Sequence, residues 1–104
     1  MSTPFAVTLR AEGGTAVVFV SGEVDLRVSE KFAEVGRLAL ASQGSAVVFD
    51  LADLAFMDST GLNAMIRIHQ AVREAGKSVS LRNVSERTQR LLKLCGLEYL
   101  LGPD

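Results

Sequence analysis

The fold is decided by a stretch that joins a strand pattern to a helix pattern, Ala46-Val47-Val48-Phe49-Asp50-Leu51-Ala52-Asp53-Leu54-Ala55-Phe56-Met57-Asp58-Ser59-Thr60-Gly61. It begins with a continuous apolar run, Ala46 to Phe49, which is typical of a strand buried in a sheet. Beyond Gly61, apolar side chains recur at three- and four-residue steps, as on one face of a helix: Leu62, Met65, Ile66, Val72 and, at its margin, His69. The stretch therefore predicts a buried strand that leads directly into an amphipathic helix.

The junction between this strand and helix carries three short polar side chains, Asp58, Ser59 and Thr60. Any of them can be the N-cap, because each has an oxygen able to accept a hydrogen bond from an amide of the first helical turn. A phosphate on either hydroxyl would lie at the positive end of the helix dipole, close to amides without a partner inside the helix. The residues alone therefore allow both ordinary capping and phosphorylation.

Length, composition and charge limit the class of protein. The chain has 104 residues, of which 48% are hydrophobic and 22% charged, and this predicts a single domain over residues 1–104 with one core. A formal net charge of −1 gives no sign of a nucleic-acid partner. With Cys95 and His69 the only residues of their types, no disulfide, metal site or cofactor is expected. The absence of a membrane-helix or signal pattern predicts a cytoplasmic protein without a membrane partner.

The remaining patterns give the order of elements. Residues 5–10 and 16–20 read as the strands of a hairpin around Gly13-Gly14, and residues 21–25 as a polar loop. A first helix has the predicted buried stripe Val28, Phe32, Val35, Leu38, Ala39 and Ser42. A short strand at 78–81 precedes a third helix, capped by Ser85 and stopped by Gly96, whose predicted stripe is Thr88, Leu91, Leu92 and Cys95. A last short strand is predicted at 97–101, with a frayed end at 102–104.

The order β-β-α-β-α-β-α-β predicts an α/β domain in which an N-terminal hairpin joins a mixed, mostly parallel sheet with three main helices. Loops beyond the carboxyl ends of parallel strands gather at one edge of such a sheet. The Gly22 to Asp25 loop and the Asp53 to Gly61 segment should therefore share a rim. This places Glu23, Asp25 and Ser59 in one predicted surface patch.

Enzymatic chemistry finds little support in the sequence. Asp58-Ser59-Thr60-Gly61 has one residue too many for the Asp-Thr/Ser-Gly motif of aspartic proteases, and no glycine precedes Ser59 at the spacing of a hydrolase elbow. His69 lies almost three helical turns beyond Ser59, and no Gly-x-x-x-x-Gly-Lys loop is present. Glu23 and Asp25 can be a solvated loop or a partner contact, Asp50 and Asp53 can form turns, and His69 and Cys95 are expected to be packing residues.

The segment Val47-Val48-Phe49-Asp50-Leu51 followed by Asp53 to Leu62 resembles the signature of bacterial anti-sigma factor antagonists, which carry the STAS domain. Ser21 to Asp25 resembles the Gly-Glu-Leu-Asp loop of that family, and Val84 to Leu97 resembles its last helix. The resemblance covers nearly the whole chain. It departs from the family pattern at Asn63, where relatives often have glycine, and this departure bears on partner choice.

The resemblance implies a non-enzymatic binding protein. In that family the unphosphorylated antagonist holds an anti-sigma factor that is also a serine kinase, which frees the sigma factor. Phosphorylation of the hydroxyl residue after the motif aspartate, here Ser59, ends the complex, and a serine phosphatase resets it. The implied partner-binding residues are Glu23, Asp25, Asp58, Ser59, Thr60, Gly61 and Asn63. The alternative is a STAS interaction module of a sensory scaffold or transport-associated complex without phosphoswitching.

Overall fold

The structure, a computed structural model, describes residues 4–42 and 44–101. The strands are β1 (Ala6–Glu12), β2 (Thr15–Val24), β3 (Ala46–Met57) and β4 (Ser78–Arg82), and the helices are α1 (Ser29–Ala41), α2 (Ser59–Glu74) and α3 (Glu86–Leu94), followed by a 3-10 helix at Glu98–Leu101. The strands form one sheet in the order β1-β2-β3-β4. The pair β1 and β2 is antiparallel, and the pairs β2 and β3, and β3 and β4, are parallel. The predicted mixed α/β sheet, its hairpin and its three helices are confirmed.

Aromatic rings fill the core between α1 and the sheet. The Phe32 ring of α1 meets the Phe5 and Phe49 rings edge-on, with centroids 6.4 and 6.1 Å apart. A Cβ atom on Gly36 would lie 2.6 Å from Cγ1 of Ile68, so this glycine allows α1 to approach α2 closely. The predicted stripe of α1 is wrong at Leu38, which is 57% exposed, because the packing line follows Phe32, Gly36 and Ala39 instead.

The predicted polar loop at 21–25 is wrong, because β2 continues to Val24. Its last residues pair with β3, with Ser21 opposite Asp53 and Val24 opposite Met57, and the register shifts between Gly22 and Glu23. Gly22 has a φ of +82°, and a Cβ atom on it would overlap the carbonyl group of Pro4. The glycine that suggests a turn thus forms an irregularity inside a long strand.

The turn interpretation of Asp50 and Asp53 is also wrong, since both lie within β3, which runs without interruption from Ala46 to Met57. Asp50 is buried at 6% exposure, and its carboxylate contacts Arg82 of β4. The strand is longer than its apolar run because its pairing with β2 continues to Met57, whereas its pairing with β4 ends at Asp50.

The C-terminal part differs from the prediction in two ways. Ser85 caps α3 as predicted, by accepting a hydrogen bond from the Thr88 amide at 3.1 Å. The expected strand at 97–101 is instead a 3-10 helix anchored by the fully buried Leu100. Cys95 is exposed, because α3 ends at Leu94 and the helical stripe cannot be extended past it. Residues 102–104 lie outside the described residues.

Candidate partner-binding site

Asp58 is the N-cap of α2. Its backbone is extended, and its Oδ1 accepts a hydrogen bond from the Gly61 amide at 3.0 Å. Its carbonyl oxygen accepts the Leu62 amide at 2.9 Å. The carboxylate therefore satisfies a first-turn amide and complements the positive end of the helix dipole. Of the three candidate caps it is the one that the structure selects, and Ser59 becomes the first residue of the helix.

The end of β2 is bonded directly to this cap. The Asp58 amide donates a hydrogen bond to the Val24 carbonyl oxygen at 3.2 Å. A Cβ atom on Gly61 would lie 2.8 Å from both that oxygen and Cγ1 of Val24, so a glycine is needed where the first turn of α2 rests on β2. Glu23 and Asp25 flank Val24 in the chain, so both are neighbours of the residue whose carbonyl oxygen accepts the Asp58 amide.

Arg27 forms an ion pair with Asp25 and offsets the negative charge of its carboxylate. Nη2 of Arg27 lies 2.9 Å from Oδ2 of Asp25, and the Arg27 amide donates to Oδ1 of Asp25 at 3.0 Å. The hydrogen bond from the Arg27 side chain is the main cause that lowers the pKa of Asp25 below its usual value. The same bond raises the pKa of Arg27, and the charge of Glu23 acts on Arg27 in the same direction. Sequence analysis had missed Arg27.

The predicted site residues reach the surface to different extents. Ser59 and Asn63 are exposed and lie one helical turn apart on α2. Gly61 is buried, so it supports the patch from below through its packing on Val24. The others are partly exposed around Ser59: Glu23, Asp25, Asp58 and Thr60. The structure brings all seven residues to one end of the domain.

Two exposed apolar side chains flank the patch, and sequence analysis had missed both. Leu26, between the paired Asp25 and Arg27, is 72% exposed, and Phe56 near the end of β3 is 44% exposed. Leu26 borders a groove of about 430 Å³ between α1 and α2, and Phe56 borders one of about 380 Å³ between β3 and α3. An apolar residue inside a polar turn is the signal that could have identified Leu26.

The family model of the STAS domain matches residues 6–102. The chain belongs to the STAS domain family. It is 34% identical to the anti-sigma-B factor antagonist of Bacillus subtilis (strain 168) over 84 residues, which are 81% of this chain and 76% of that protein. It is 30% identical to the anti-sigma-F factor antagonist RsfB of Mycobacterium tuberculosis over 102 residues, which are 94% of this chain and 81% of that protein.

The crystal structure of an anti-sigma factor antagonist from Mycobacterium paratuberculosis superposes on this STAS domain with a TM-score of 0.80. The two chains are 25% identical, and the match covers 97% of this chain and 87% of the other. Anti-sigma factor antagonists are non-enzymatic regulatory proteins, in agreement with the interpretation of the sequence. The resemblance on which that interpretation rests is confirmed.

Among residues 4–42 and 44–101 there is no group of three or more His, Cys, Asp or Glu residues able to hold a metal ion. His69 is buried, its ring centroid lies 5.3 Å from that of Tyr99, and burial together with the charge of Arg73 lowers its pKa. In the described part of the chain, no helix combines the length and apolar character needed to cross a bilayer.

Proposed function

We propose that this STAS domain is an anti-sigma factor antagonist controlled by phosphorylation of Ser59. In its unphosphorylated form it binds an anti-sigma factor that is also a serine kinase, and the sigma factor is released. Phosphorylation of Ser59 ends the complex, and a serine phosphatase restores the binding form. These partners work in the cytoplasm, and the domain contacts neither nucleic acid nor a membrane.

One observation carries the proposal: Ser59 is the exposed first residue of a helix whose cap is bonded to the end of β2. A kinase can reach this hydroxyl without unfolding any element. The surrounding surface combines carboxylates with the apolar side chains of Leu26 and Phe56, as interface cores and rims usually do. The contact surface for the partner is therefore centred on Ser59.

Charge explains how the modification ends binding. A phosphate adds about −1.5 to −2 charges at neutral pH. Asp58 precedes the modified residue, and Glu23 and Asp25 lie across the junction with β2, so the added charge meets carboxylates of the same patch. A partner surface that packs against the unmodified hydroxyl offers neither room nor hydrogen-bond donors for this charge, so binding then carries a steric and a desolvation cost.

The fold itself tolerates the phosphate. The first amides of a helix have no acceptors inside the helix, and the dipole favours negative charge there. Asp58 already satisfies the Gly61 amide, so the cap remains when Ser59 is modified. We expect the phosphorylated domain to keep its structure and to differ in surface charge and shape.

The test combines mass spectrometry with binding. Candidate anti-sigma factor kinases and ATP are incubated with the wild type, Ser59→Ala and Thr60→Ala. The phosphate should appear on Ser59, be absent from Ser59→Ala and persist in Thr60→Ala. Ser59→Ala should stay bound to its kinase, and Ser59→Asp should bind about tenfold more weakly, a partial effect because one carboxylate imitates a phosphate incompletely.

Two results would contradict the proposal. Phosphate on Thr60 would move the switch to the neighbouring residue. A wild-type domain that no cognate kinase binds or modifies would favour a STAS module of a sensory scaffold or transport-associated complex. Thr60→Ala is the matched control, since it removes the adjacent hydroxyl of the same helical turn.

A further inference from the structure

A groove between α1 and α2 begins at Thr60, the neighbour of the proposed phosphorylation site, and leads away from it. Leu26 and Thr60 line one end, and Leu40 and Ala71 line the other. Both helices connect parallel strands of one sheet, so they run side by side in the same direction. Ser29 and Leu40 both line the groove, and the eleven steps between them correspond to about 16 Å of helix.

Small residues make the groove. Ala33 and Gly36 of α1 face Ala64 of α2 across it, and the close contact of Gly36 with Ile68 forms its floor. The missing side-chain volume leaves about 430 Å³. Large apolar side chains of a helix of about three turns fit a groove of this length.

Three charged side chains edge the groove: Glu30 near the Ser59 end, and Arg37 and Arg67 further along. All three are exposed. Within residues 4–42 and 44–101 none of them belongs to an ion pair of the domain. Arg37 lies seven residues, about 10 Å, beyond Glu30 along α1. Guanidinium groups bind carboxylates in a planar two-bond geometry, so the part of the groove edged by Arg37 and Arg67 can bind acidic side chains.

We infer that the groove between α1 and α2 docks an amphipathic helical segment of the partner kinase, with apolar side chains between Ala33 and Ala64 and carboxylates on Arg37 and Arg67. This inference rests on the proposed function, because the groove is continuous with the Ser59 patch through Leu26 and Thr60. The docked helix supplies affinity away from the hydroxyl that reacts. Ser59 then decides whether the complex persists, and the groove helps to decide which kinase binds.

Charge argues against a second copy of this chain as the occupant. Among residues 4–42 and 44–101, the large apolar helix side chain with the greatest exposure is Leu94 of α3, at 84%. Its helix carries Arg87, Arg90 and Lys93. Docking α3 of one copy in the groove of another would place these cations near Arg37 and Arg67, a repulsive arrangement.

The test reverses the charges of the groove. Arg37→Glu/Arg67→Glu is compared with Lys31→Glu/Arg73→Glu, which makes the same charge change on exposed residues of α1 and α2 outside the groove. Circular dichroism and urea unfolding establish that each variant folds. The groove pair should weaken kinase binding about tenfold and raise the KM for Ser59 phosphorylation, with kcat and the control pair within about twofold of wild type. Arg37→Gln/Arg67→Gln, which removes the charges without reversing them, should fall between.

The outcomes separate this inference from the proposed function. If the kinase binds and modifies wild type but the groove pair binds equally well, the docking inference is overturned and the proposed function stands. Equal weakening by the two pairs would also overturn it, because net charge alone would explain the loss. A dimer in sedimentation that the groove pair dissolves would make a second copy the occupant. Protection of residues 29–40 from hydrogen exchange in the kinase complex would support the inference directly.

Discussion

Two aspartates eight residues apart, Asp50 within β3 and Asp58 just beyond its end, have contrasting surroundings. Both oxygens of the Asp50 carboxylate are engaged: Oδ1 accepts the Ala52 amide at 3.0 Å, and Oδ2 accepts Nε of Arg82 at 2.7 Å. Asp58 uses one oxygen for the Gly61 amide and lies beside the exposed Ser59. Asp50 links β3 to β4 because Arg82 of β4 donates to its carboxylate. Asp58 caps α2 because the amide of Gly61, in the first turn of that helix, donates to its carboxylate.

Around Asp50 the contacts extend across the sheet. The Asn83 amide group donates to Oδ2 at 3.0 Å, and Cζ of Arg82 lies 5.6 Å from the centre of the Phe19 ring. Burial tends to raise the pKa of Asp50, but the hydrogen bonds from Arg82, Ala52 and Asn83 together lower it below its usual value. Asp50 is therefore charged and linked to β4, whereas the Asp58 region leaves a surface to which a partner can bind.

The largest effect is expected from Asp50→Ala. The change removes both hydrogen-bonded oxygens from a buried position, and the free energy of unfolding should fall by about 2 kcal/mol in urea titrations. Asp53→Ala, in the same strand but exposed, is the control and should change it by less than about 0.5 kcal/mol. Kinase affinity of the folded Asp50 variant should equal that of wild type. If Asp50→Ala lost affinity for the kinase while keeping the stability of wild type, Asp50 would belong to the binding surface and not to the structural core.

The pH dependence of stability sharpens the same contrast. Because the pKa of Asp50 is lower in the folded than in the unfolded chain, its contribution is fully present above about pH 4 and is lost as the pH falls through the folded pKa. Asp50→Asn lacks this contribution. The stability difference between wild type and Asp50→Asn should therefore be largest near neutral pH and shrink on acidification, as measured by urea unfolding at a series of pH values. A constant difference from neutral to acid pH would contradict a charged Asp50.

A smaller loss of stability is expected at the helix cap. Asp58→Ala removes the acceptor of the Gly61 amide and should cost about 1 kcal/mol. Asp58→Asn keeps an acceptor and removes only the charge, so it should retain most of the stability. Comparing both by thermal unfolding separates capping from charge. If Asp58→Ala matched the wild type in stability, Ser59 or Thr60 would have replaced it as the cap.

Features set by neighbouring residues were predictable from the sequence. The hairpin turn, the strand-to-helix junction after Met57 and the Ser85 cap depend on residue types within one turn of the chain. The approach of the end of β2 to the start of α2 was predictable from topology, because parallel strands end at one edge of a sheet. The choice of Asp58 among three possible caps was not, since all three offer an oxygen at a suitable spacing.

Features set by distant partners were not predictable. Asp50 is buried because Arg82 and Asn83 arrive more than thirty residues later in the chain. Similarly, Ser21 to Val24 form a strand because β3 supplies a parallel neighbour for a polar, glycine-containing segment. Periodicity predicted the buried faces of α1 and α3 approximately. It was wrong at Leu38, which the packing of α1 on its neighbours leaves exposed, and at Cys95, which is exposed just beyond the end of α3.

The smallest effect on stability is expected from Asp25→Ala, although the residue belongs to the proposed binding patch. Its ion pair with Arg27 is open to solvent, with 79% of the Arg27 side chain exposed, and such pairs contribute little to folding. The melting temperature should stay within about two degrees of wild type. Kinase affinity should fall several-fold, because Asp25 is a proposed partner contact that directly follows Val24, to which the cap of α2 is bonded.

Arg27→Ala distinguishes a direct contact of Asp25 with the partner from an indirect role of Asp25 in holding the turn. If the carboxylate contacts the partner itself, removal of Arg27 leaves that contact in place, and affinity measured by calorimetry should stay within about twofold of wild type. If Asp25 merely fixes the turn through Arg27, both substitutions should weaken binding equally, and their double variant should be no weaker than either. We expect the first result, because the backbone of the turn is also held by the hydrogen bond from the Val28 amide to the Asp25 carbonyl oxygen at 3.2 Å.

Unchanged affinity in Asp25→Ala at unchanged melting temperature would make this residue part of a solvated turn, and the binding patch would then be confined to the α2 side of the junction.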